Sequence, residues 1–158
     1  MATPSPYRSL PAERRIALVT HAIQASKEGR ALFVARLLAK GGGFRPATLQ
    51  SWTPDRLARE VVRLRAETPQ DEFDLLHLLY VELDPAIQTS FLEAAGVRHE
   101  GGKIPDDLES PYCDADAVTR GVTAVRERHG EEGERYLRTL ARYNREGWPG
   151  IEGQVSES

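Results

Sequence analysis

Glu72–Leu83 reads EFDLLHLLYVEL. Phe73, Leu75, Leu76, Leu78, Leu79, Tyr80, Val81 and Leu83 are apolar, and they do not keep to one face at a period of 3.6. In a soluble protein, a helix that is apolar almost all round is enclosed by others. Asp74, His77 and Glu82 interrupt the run, which is also too short to span a bilayer. The stretch therefore predicts the central buried helix, roughly residues 70–83, of an all-α fold. That fold is a compact single-domain bundle of about seven or eight helices.

The flanking sequence punctuates helices. Thr68-Pro69, followed by Asp71 and Glu72, supplies a cap, a proline at the first helical position and acids near the positive helix end. Thr53-Pro54-Asp55 repeats this signal before a helix with Leu57, Val61 and Leu64 inward. Asp84-Pro85 ends the central helix and opens another, carrying Ile87, Phe91, Leu92 and Ala95 and closed by Gly96-Val97. Towards the N-terminus, Ser9 is expected to cap an amphipathic helix with Ile16, Val19 and Ile23 on one face. ALFVARLLA at 31–39 is expected to be a second core helix, stopped by Gly41-Gly42-Gly43. Asp114 caps a helix with Val118, Val122 and Val125 inward that ends at Gly130. A last helix, 132–145, turns Tyr136, Leu137, Leu140 and Tyr143 inward. Residues 98–113 follow neither period and form the one long loop. The expected organisation is a flexible arm at 1–9, a helical domain at 10–151 and a disordered tail at 152–158.

Composition narrows the function classes. A chain of 158 residues, 40% hydrophobic and 28% charged, suits one folded domain. A single cysteine, Cys113, excludes an internal disulfide and a multi-cysteine zinc site. With no apolar leader and no long apolar span, the expected location is cytoplasmic. Residues 1–67 carry 12 basic and 5 acidic side chains, whereas residues 68–116 carry 2 and 12. Such asymmetry can steer a charged partner or a second copy of the chain.

No catalytic motif is present. His77 lies five residues from both Glu72 and Glu82, about 140° round a helix from each, so neither meets it on one face. The acids at 106, 107, 109, 114 and 116 lack the spacing of an EF-hand loop, and Gly41–Gly43 lacks the partners of a phosphate loop. No metal or cofactor is expected. The expected function is a non-enzymatic helical interaction module, binding another protein or a second copy of itself. Its contacts are assigned to Arg56, Arg59 and Arg63 on one surface and to Asp106, Asp107 and Glu109 on another. Two alternatives stand beside it. One is a DNA- or RNA-binding regulator using the basic half, with 33–52 laid over a helix-turn-helix. The other is a small enzyme or ligand sensor with an internal pocket at His77 and Tyr80.

Overall fold

The computed structural model describes residues 5–155. Among the described residues there are eight α-helices and no strand, so the chain is all-α as its punctuation predicts. Contacts gather it into two compact units. Of the described residues, one unit holds Tyr7–Leu75; the other holds Ser5, Pro6 and the chain from Leu76 to Val155.

Four helices pack in the first unit: α1 (Ala12–Ala25), α2 (Lys27–Lys40), the short α3 (Pro46–Gln50) and α4 (Pro54–Arg63). Its core is Ile16, Leu18, Val19 and Ile23 of α1, Phe33, Val34 and Leu37 of α2, Leu49, and Leu57, Ala58, Val61 and Val62 of α4. Local chemistry sets each boundary. Thr53 Oγ1 accepts from the Arg56 N–H at 3.2 Å, and Gly41 ends α2 in the left-handed conformation. The N-cap of α1 is Pro11, not the expected Ser9, and it offers no side-chain cap; a serine cap stands at the head of α2, where Ser26 accepts from the Gly29 N–H. Gly29 lets α2 approach α1 closely, since a Cβ there would stand 2.2 Å from the Ala22 carbonyl oxygen.

The segment expected to be the central helix straddles the boundary between the units. It is α5 (Pro69–His77), followed by a π-helical turn over Leu78–Leu83. Thr68 and Asp71 cap α5 reciprocally: Thr68 Oγ1 accepts from the Asp71 N–H at 3.1 Å, and Asp71 Oδ2 accepts from the Thr68 N–H at 3.0 Å. Its burial is one-sided. Asp71, Glu72, Leu75, Leu76, Leu79 and Tyr80 face inward, while His77 and Leu83 are exposed. Apolar composition all round predicted full enclosure, but the π-helical register after His77 changes which residues turn inward. Asp84 N–H reaches the Leu79 carbonyl at 2.8 Å.

The second unit is built on α6 (Ala86–Ala95) packed against α7 (Ala115–Tyr143), with α8 (Ile151–Gln154) closing one end. Gly130, at φ 53° and ψ −127°, breaks α7 where the sequence places a helix end. Rings fill the centre: Tyr136 lies edge-on to Tyr80 at 5.2 Å and to Phe91 at 6.0 Å, and Phe91 is edge-on to Trp148 at 4.9 Å.

Both ends of the chain differ from expectation. Of the arm predicted at 1–9, residues 1–4 lie outside the described residues. Tyr7 is fully buried, its hydroxyl donating to Glu67 Oε2, and Arg8 reaches Glu67 and Glu72 at 3.4 Å each. Of the tail predicted at 152–158, residues 152–154 are helical and Val155 is buried, while 156–158 lie outside the described residues. Few apolar side chains, chiefly Tyr7 and Val155, are buried at these termini, too sparse a signal for a periodicity to register.

Candidate interaction surfaces

Helix α4 sends out the three arginines singled out in the sequence, and all three are engaged. Arg56 stacks on the Trp52 ring, 4.2 Å from its centroid. Arg59 pairs with Asp55 at 2.9 Å and reaches Glu13 at 3.4 Å; Arg63 pairs with Glu60 at 2.6 Å. The Asp55–Arg59 and Glu60–Arg63 partners stand four and three residues apart, so this neutralisation was readable from spacing. Arg30 donates to the carbonyls of Leu49, Gln50 and Trp52, and Arg36 makes a two-pronged pair with Asp71 at 2.7 and 3.0 Å. Burial raises the Asp71 pKa, but the bonds from Arg36 and Thr68 outweigh it and hold the carboxyl below its ordinary value.

The acidic residues belong to the second unit, on a loop pinned by its own bonds. Glu100 and Lys103 exchange backbone hydrogen bonds, and Gln88 Nε2 donates to the Gly102 carbonyl at 2.5 Å. Asp107 pairs with Arg98, whose hydrogen bond lowers the carboxyl's pKa; Glu109 is exposed. Asp106 lines an open groove of about 340 Å³ with His77, Glu82, Gln88, Lys103 and Tyr112. Within it Lys103 pairs with Glu82 at 3.2 Å. The internal pocket expected at His77 and Tyr80 is therefore two separate places. His77 faces this open groove, whereas Tyr80 is buried against Tyr136.

Two other histidines have partners in the second unit. His99 Nδ1 accepts from the Gly102 N–H at 3.1 Å, and His129 Nε2 lies 2.9 Å from Ser90 Oγ. The latter couple joins α6 to α7 across 39 residues, a pairing no local pattern encodes. Burial, then Asp114, pushes the Cys113 thiol up, which disfavours the thiolate at neutral pH. Among the described residues, no three His, Cys, Asp or Glu side chains gather to hold a metal ion, and no helix is long and apolar enough to cross a membrane.

The surface that sequence reasoning missed is on α2. Phe33, Val34 and Leu37 face the core, yet Ala31, Leu32, Ala35, Leu38 and Ala39 are all exposed, Leu32 at 37% and Leu38 at 38%. These five sit at helical spacings of three and four and form one outward stripe. The charges that interrupt this part of the sequence, Arg30 and Arg36, are drawn back to partners in the same unit. Lys27 and Glu28 stand exposed at the start of α2 and Lys40 at its end. In the sequence the segment reads as a core helix; its surplus of apolar residues is a second face.

Comparison with protein-family models, with curated proteins and with solved structures gives no match to this chain.

Proposed function

We propose that the protein is a non-enzymatic interaction module whose contact surface is the outward face of α2. The observation that carries this reading is an uncovered apolar stripe of Ala31, Leu32, Ala35, Leu38 and Ala39 on a helix whose opposite face already serves the core. Scattered exposed apolar residues need no explanation, but a contiguous stripe cleared of charge is a recognition feature, and helix-in-groove or helix-on-helix docking uses this spacing. Packing alone cannot have required it, since Phe33, Val34 and Leu37 supply the buried face.

The paired state of Arg59 and Arg63 favours this surface over the charged ones. Each carries its counter-charge beside it, which blunts both a steering field and a phosphate-binding row. The helix-turn-helix alternative also loses support, because α3, where a recognition helix would stand, is five residues long. The absence of paired cysteines supports action in the reducing cytoplasm.

A photo-reactive amino acid placed at position 32 or 38, and at position 63 as a control, tests the reading in host cells. Discrete protein adducts at 32 and 38 but not at 63 support it. Adducts at 63 alone, or to nucleic acid alone, overturn it.

A further inference from the structure

The open groove lined by the π-helical turn and the 98–113 loop is a preformed site, and we propose that it binds a small neutral sugar. This inference concerns the second unit and stands apart from the α2 face.

Two departures from regular structure meet at this groove. The π-helical turn Leu78–Leu83 brings Val81 and Glu82 to it, directly after His77. Such turns give up hydrogen-bond geometry and recur at functional sites. The loop between α6 and α7 contributes Lys103, Asp106 and Tyr112. An ordered connection of this length without secondary structure is uncommon in a folded domain and usually carries function. Here the loop is clamped against α6, since a Cβ on Gly102 would stand 2.9 Å from Thr89 Oγ1 and 3.1 Å from Pro85 Cβ. Gln88 donates to the Gly102 carbonyl and accepts from the Tyr136 hydroxyl at 3.2 Å, so its amide is fixed at both ends. Further along, the Tyr112 N–H donates to the Gly147 carbonyl at 3.0 Å, and its ring leans on Trp148 with centroids 5.1 Å apart. The volume, about 340 Å³, falls in the range of small-molecule sites, about 300–1,000 Å³.

The lining selects the class of ligand. Asp106, Asn144 and Tyr112 line the groove, and the carboxylate, amide and hydroxyl make no hydrogen bond among the described residues. A carboxylate accepts from two hydroxyls and an amide donates and accepts at once, which is what neighbouring hydroxyls on a sugar ring require. The electron-rich face of a tyrosine suits the C–H side of the same ring. Other classes fit less well. Val81 and Ile104 are too small a share of the lining for an apolar ligand. An anion would meet Glu82 and Asp106, and the Lys103 ammonium is already paired with Glu82 at 3.2 Å. A cationic amine would find only Asp106 uncommitted and would leave the Asn144 amide and the Tyr112 hydroxyl idle.

The test is saturation-transfer difference NMR on the full chain. The probes are glucose, galactose, mannose, N-acetylglucosamine and ribose, with putrescine as the amine and inorganic phosphate as the anion. At least one sugar should bind saturably with a dissociation constant of about 1 mM, as suits an open groove. Asp106→Ala should weaken that binding at least about tenfold, through loss of a hydrogen bond to a charged acceptor. Glu109→Ala, on the same loop but outside the lining, should leave it unchanged.

Asp106 and Glu109 are both exposed, so neither change burdens the fold, and circular dichroism checks that the helices persist. No binding of any of these sugars up to about 50 mM overturns the inference. Sugar binding that Asp106→Ala leaves intact overturns it as well, because the sugar then sits elsewhere. Putrescine or phosphate binding that Asp106→Ala changes, with no sugar bound, assigns the groove to a charged ligand and also overturns it.

Discussion

Tyr7→Phe is the perturbation that probes the N-terminal segment most cleanly, because it removes one hydroxyl and keeps the ring. Tyr7 is fully buried and donates to Glu67, whose side chain is itself buried, so the bond lost is to a charged acceptor out of water. Such bonds contribute about 1.5–3 kcal/mol. Two features reduce the loss: Arg8 still faces Glu67 at 3.4 Å, and a phenylalanine ring is better suited to burial than a phenol. The expected destabilisation is therefore about 1.5–2 kcal/mol, within the range for a charge-assisted bond. Tyr7→Ala adds a cavity and should cost about 3–5 kcal/mol.

Urea denaturation followed by circular dichroism measures both, with the dependence on denaturant unchanged if only native contacts are lost. Alkaline pH gives a second readout. Burial, then Glu67, raises the Tyr7 pKa above its usual value near 10. A folded pKa above the unfolded one means the hydroxyl's contribution is full below about pH 10 and is lost as pH rises beyond it. Tyr7→Phe should flatten that alkaline loss. Destabilisation below about 0.5 kcal/mol for Tyr7→Phe, joined by a loss near zero for Tyr7→Ala, would refute the packed segment and restore a free arm.

Other perturbations address the caps and close contacts. Asp71→Asn should cost about 2–3 kcal/mol at neutral pH, less than for a fully buried pair, because Arg36 is 30% exposed and keeps its water. Since the folded Asp71 pKa lies below its unfolded value, its contribution is present above about pH 4 and fades as pH falls below it. An acid titration in which wild type and Asp71→Asn run parallel would contradict this. Gly29→Ala should destabilise by about 1–3 kcal/mol despite alanine's better helix propensity, because the Ala22 carbonyl must move. Gly153→Ala, with open space around it, should be neutral or slightly stabilising in the same thermal melt.

How much of this was legible depended on how local the signal is. Thr53, Thr68 and Asp114 accept the capping bonds their sequence contexts announce, and Gly41, Gly96 and Gly130 stop helices where they stand. Those choices are made within four residues. Tyr7 is different, since its partner Glu67 is 60 residues away and no pattern links them. His77 was misplaced because composition gives no direction: a run that is apolar all round cannot show which side is covered. The same ambiguity hid the α2 face, where Leu32 and Leu38 look like core residues until Phe33, Val34 and Leu37 take the inward positions. Local compensation of Arg59 and Arg63 was visible in the spacing, but counting charge by segment passed over it.

The central claim, that Leu32 and Leu38 serve contact and not the core, is tested most directly by comparing them with Leu37 in urea denaturation. Leu32→Glu/Leu38→Glu should leave stability within about 1 kcal/mol of wild type, as changes at open positions do. Leu37→Ala should lose about 2–5 kcal/mol from the same helix. The double variant should at the same time abolish the adduct formed by a photo-reactive residue at position 35. If the double glutamate variant instead unfolds as readily as Leu37→Ala, the outward stripe is core and α2 offers no docking face.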